Sequence, residues 1–68
     1  MGTVARVTEI SATSEKSFQD AIAVGIARAN DTLRRVQAAW VKEQEVRVAD
    51  GKITEYQVNM LVTFVLDD

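Results

Sequence analysis

From Tyr56 to Leu66 every second residue is apolar: Tyr56, Val58, Met60, Val62, Phe64 and Leu66. A strand sends successive side chains to opposite faces, so this alternation predicts a strand with one face against a core. The opposite face then carries Glu55, Gln57, Asn59, Leu61, Thr63 and Val65. Residues 38 to 48 keep the same period of two. Between the runs, Asp50-Gly51 suits a tight hairpin whose two central residues need positive φ. Strands are therefore expected over 38 to 48 and 53 to 66.

Ahead of this hairpin the period changes. Phe18, Ala21, Ile22, Gly25, Ile26, Ala29, Leu33 and Val36 follow helical spacing, with Lys16, Asp20, Arg28, Asp31, Arg34 and Arg35 on the other side. The pattern predicts an amphipathic helix of about twenty residues. Ser11-Ala12-Thr13-Ser14 offers N-cap oxygens, and Glu15 sits where a helix dipole favours negative charge. Gly25 costs a helix roughly 1 kcal/mol relative to alanine, so it reads as a point of close approach to the sheet. The β-branched stretch from Thr3 to Ser11 reads as a first strand. The expected fold is α+β, in the order β-α-β-β, with a three-stranded antiparallel sheet wrapped on one helix.

Such a chain, one domain over residues 1–68, is short of core. A domain this small removes only about 60% of its unfolded surface from water. It has no cysteine and no histidine, so disulfides, thiolate metal sites and imidazole chemistry are excluded. Partner subunits remain as the source of extra burial. The late strands reach roughly 40 Å, whereas a twenty-residue helix covers about 30 Å, so part of the sheet is left for other copies to cover. A net charge of -2 argues against nucleic-acid binding. No apolar run is long enough for a membrane span and no signal-peptide pattern opens the sequence, so the cytoplasm is the expected location. An enzyme is not expected: the hydroxyl nucleophiles have no adjacent base, and phosphate-cradling glycine motifs are absent.

The hairpin register carries a functional reading. Pairing Ala49 with Lys52 places even residues of the second strand beside odd residues of the third. The helix-distal face is then expected to hold Trp40, Lys42, Gln44 and Val46 beside Glu55, Gln57, Asn59 and Leu61. Two roles fit an indole there. It fills a subunit interface, where tryptophan is enriched, or it stacks on a planar ring whose edge the carboxamides read.

The segments Arg6-Val7-Thr8-Glu9-Ile10, Thr13-Ser14, Ala27-Arg28-Ala29, Thr32-Leu33-Arg34, Ala49-Asp50-Gly51, Tyr56-Gln57-Val58 and Val62-Thr63-Phe64-Val65-Leu66-Asp67 resemble, in that order, the dodecins. The resemblance implies a hollow homododecamer that holds flavin, riboflavin or FMN, as stacked pairs between symmetry-related tryptophans. It implies storage and buffering without turnover, and an indole stacked on flavin adds photoprotection. Gln57 falls on the glutamine that meets the polar edge of the isoalloxazine, with Gln44 as a possible helper. Trp40 lies two residues beyond the usual tryptophan position, Ala38, a shift of about 6.6 Å along the strand. A compensating change in the hairpin would match Arg47 to the basic residue seven after the tryptophan. Without one, that position is Glu45, and a further arginine position is Val65. Dodecins without the flavin tryptophan imply the other branch: a structural assembly, or one that binds calcium.

Overall fold

The computed structural model describes residues 2–66. The Asp67-Asp68 tail, expected to be solvated, lies outside the described residues. The elements are β1 (Ala5–Ser14), α1 (Phe18–Leu33), β2 (Val36–Ala49) and β3 (Lys52–Val65). Their order is the expected one. β3 is the central strand, with β1 and β2 antiparallel to it on either side. α1 therefore carries the chain from one edge of the sheet to the other.

The first boundary differs from the sequence reading. β1 runs on to Ser14 because Ile10, Ala12 and Ser14 continue the inward alternation opposite Met60, Val58 and Tyr56. Ser14 is buried and caps nothing. Its Oγ donates to Asp20 Oδ2 at 2.6 Å and accepts from the Lys16 N–H at 2.9 Å. The cap is Ser17, whose Oγ accepts from the Asp20 N–H at 2.9 Å. The helix is also shorter than expected, at 16 residues. It stops where Arg34 and Arg35 adopt φ of 59° and 50°, and the Arg34 N–H donates to the Asn30 carbonyl at 3.2 Å. Positive φ is uncommon outside glycine, so these two arginines form a turn that residue type does not announce.

The core forms where α1 lies on the sheet. Ala21 and Ala29 meet Val58, Met60 and Val62, with Ile10, Ala12, Ile22, Ile26, Ala39 and Val41 packed around them. Gly25 is the point of closest approach. A Cβ there would lie 2.7 Å from Met60 Cε and 3.0 Å from Ala12 Cβ. At the start of α1, Phe18 meets Tyr56 edge-on with ring centroids 5.2 Å apart, a favourable aromatic geometry.

Beyond Tyr56 the hairpin leaves the helix behind. Sixteen helical residues span about 24 Å, whereas fourteen strand residues span about 46 Å. The molecule is accordingly 54 Å long and 19 by 13 Å across. Its radius of gyration is 14.0 Å, against roughly 11 Å for a compact domain of this length. Val48 and Ile53, near the hairpin tip, are 59% and 52% exposed. Among the described residues no helix is long and apolar enough to cross a membrane.

Candidate ligand-binding face

The face of the sheet turned away from α1 is organised by register shifts between β2 and β3, two of which bracket its polar strip. At the tip, Asp50 and Gly51 have φ of 52° and 73°, and Ala49 pairs with Lys52 as expected. The register then slips three times, the last where Val36 pairs with Phe64 but Ala38 with Thr63, which leaves Gln37 as an extra residue in β2. Val48 pairs with Ile53 but Arg47 with Glu55, which leaves Thr54 as an extra residue in β3. Val41 pairs with Met60 but Glu43 with Asn59, which leaves Lys42 as an extra residue in β2. A bulge sets two residues of one strand against one of the other and breaks simple alternation.

These slips correct the expected face. Gln44 pairs with Val58 and Val46 with Tyr56, residues of the helix-facing side, so neither shares the face of Trp40. Gln44 therefore lies on the opposite side of the sheet from Gln57. Their places are taken by Glu43, Glu45 and Arg47, opposite Asn59, Gln57 and Glu55. Lys42 stays on this face and pairs with Glu9 across β3, Nζ to Oε2 3.5 Å. Sequence alternation alone could not find Glu43 and Glu45, because nothing in their composition marks a bulge.

Trp40 pairs with Leu61 and is 68% exposed. Further along the same face runs a chain of polar contacts. Arg47 Nη2 donates to Gln57 Oε1 at 2.7 Å, Gln57 Nε2 to Asn59 Oδ1 at 3.3 Å, and Asn59 Nδ2 to Glu43 Oε1 at 3.0 Å. Glu45 stands 3.8 Å from Arg47 Nε. Arg47 and Gln57 are thus brought together. Trp40 and Gln57 are not: four residues of β3 separate Leu61 from Gln57, about 13 Å. Asn59 is one same-face step from Leu61, about 7 Å. Within one chain the face offers a flat apolar platform and, beside it, a strip of donors and acceptors.

On the other side of the sheet, α1 and the outer edge of β1 border a groove of about 480 Å³ lined by Ile10, Ala12, Val24, Gly25, Ala29 and Leu33, among others. Its lining mixes these residues with Thr8, Ser11, Thr13, Arg28 and Thr32, and the free edge of β1 beside it suits contact with another chain.

Comparison with known proteins agrees with this architecture. The family model for dodecin matches residues 4–67. A dodecin of Thermus thermophilus is 37% identical over 68 residues, covering 100% of this chain and 99% of that protein. The dodecin structure from Streptomyces davaonensis superposes with a TM-score of 0.95 at 38% identity, covering 100% of both chains. The calcium dodecin of Mycobacterium tuberculosis, described as a calcium-chelating antigen with a novel calcium-binding site, gives a TM-score of 0.82 at 33% identity over 96% of this chain and 93% of that one. A family match over nearly the whole length, relatives above one-third identity and the shared β-α-β-β fold agree: this chain belongs to the dodecin family.

Proposed function

We propose that this chain is a single-domain flavin-sequestering protein, without turnover, that holds riboflavin or FMN in the seams of a symmetric homododecamer. The observation that carries the reading is Trp40, 68% exposed on the helix-distal face, beside the strip that runs from Arg47 to Glu43. Trp40 supplies the stacking surface. Gln57 meets the polar edge of the ring. Arg47, held beside Gln57, is the cation available to a ligand phosphate and favours FMN. Because Trp40 and Gln57 are far apart within one chain, a ring that meets both lies between copies. Closing copies over the ring excludes water and strengthens the hydrogen bonds at its edge. An indole in van der Waals contact with an excited flavin quenches it by electron transfer, which makes photoprotection the natural use of the arrangement.

Titration of riboflavin with the purified protein tests this directly. The expected result is quenching of flavin fluorescence that Trp40→Ala abolishes while the assembly elutes unchanged on size-exclusion chromatography. Unquenched riboflavin would reject the proposal. Smaller species from Trp40→Ala, without any flavin response in the parent protein, would instead mark Trp40 as an interface filler in a flavin-free assembly. Calcium-dependent assembly would align the chain with its Mycobacterium tuberculosis relative.

A further inference from the structure

We propose that Asn59 is a second reader of the ligand edge, and that Arg47 and Glu43 fix the direction in which Asn59 and Gln57 present their amides. This deepens the flavin reading above and rests on it.

The argument starts from what the end groups can do. A guanidinium only donates and an ionised carboxylate only accepts. Arg47 stands at one end of the strip and Glu43 at the other, with the carboxamides of Gln57 and Asn59 between them. A carboxamide alone has no preferred direction, since its oxygen and nitrogen ends exchange by a half-turn. Between a pure donor and a pure acceptor only one direction satisfies every contact. Arg47 donates to the Gln57 oxygen, the Gln57 nitrogen to the Asn59 oxygen, and the Asn59 nitrogen to Glu43. Charge-assisted contacts at both ends are the stronger kind, so they set the orientation of the neutral contact between them.

Each amide keeps one N–H and one lone pair unused by this chain of bonds. Read from Gln57 Nε2 to Asn59 Nδ2, the unused groups are donor, acceptor, donor. The complement is acceptor, donor, acceptor, the edge of a cyclic imide with a carbonyl on either side of a ring N–H. Flavins carry that edge. With both amides reversed the strip would instead suit a ring bearing two amino groups beside a ring nitrogen.

The test compares riboflavin with 3-methylriboflavin, whose imide N–H is blocked, and with a 2,4-diaminopteridine as the reversed edge. Parent protein is expected to prefer riboflavin to both. Losing one hydrogen bond whose partner stays buried costs roughly tenfold in affinity. Asn59 makes two contacts to the free imide edge and only the carbonyl contact to the methylated one. Asn59→Val should therefore cost riboflavin roughly tenfold more than it costs 3-methylriboflavin. Exchanging the end charges, Glu43→Arg with Arg47→Glu, should move the preference toward the diaminopteridine. Equal binding of riboflavin and 3-methylriboflavin by the parent protein would overturn the inference and leave the flavin reading intact. If no flavin binds, the flavin reading fails, and the side-chain amide NMR signals of Gln57 and Asn59 decide the direction of the strip. Both should move in Glu43→Leu, and unmoved signals would overturn it.

Discussion

Val58, Met60 and Val62 on the helix-facing side of β3 have no exposed surface. On the other side of the same strand Gln57, Asn59 and Leu61 are half-buried, and Trp40 beside Leu61 is largely exposed. One face is completed by the chain's own helix. The other has polar groups bonded to one another and leaves its largest apolar side chain, Trp40, mostly exposed. The contrast separates two tasks within one strand: alternate residues hold the subunit together, and those between them await a ligand or a second copy.

Substitutions that act on one face only test this division. The largest effect is expected from Met60→Ala. A buried methionine cut to alanine costs about 2–5 kcal/mol, read as an earlier loss of far-UV ellipticity in urea at fixed protein concentration. A shift near zero would show that the core is held by something other than this face. Next comes Ser14→Ala, which strands Asp20 Oδ2 and the Lys16 N–H in a partly buried site. The expected loss is about 1–3 kcal/mol in the same measurement. It would show whether the junction of β1 and α1 belongs with the core. Lys42→Ala is expected to do least. The pair with Glu9 has side chains 46% and 50% exposed, and exposed pairs contribute about 0–1 kcal/mol. A larger loss would mean that the distal face also stabilises the lone subunit, and the comparison would fail.

How far the sequence could be read follows the same division. The inward face is legible because Val58, Met60 and Val62 alternate strictly and Gly25, between Ala21 and Ala29, marks a small-residue stripe that permits close contact. Asp50-Gly51 signalled its turn, since few other pairs accept positive φ at both positions. The distal face was half legible. Alternation places Trp40, Gln57 and Asn59 on it correctly, but it places Gln44 and Val46 there too, because it runs unbroken through Lys42 and Thr54, where each strand in turn holds an extra residue. Bulges arise from pairing between strands, and no local composition announces them. The same limit hid Ser17 as the cap and the left-handed turn at Arg34 and Arg35, which tertiary contacts impose on residues of ordinary preference.

The bulge at Lys42 has a consequence for the outer rim of β2. A bare strand edge is a template on which further strands can be laid without end, and a break in the spacing of its N–H and C=O groups interrupts that template. β2 is fourteen residues long and contains no proline, so its irregular stretches at Gln37 and Lys42 are what limit strand-by-strand growth along it. The extra lysine therefore favours closed assemblies over fibres.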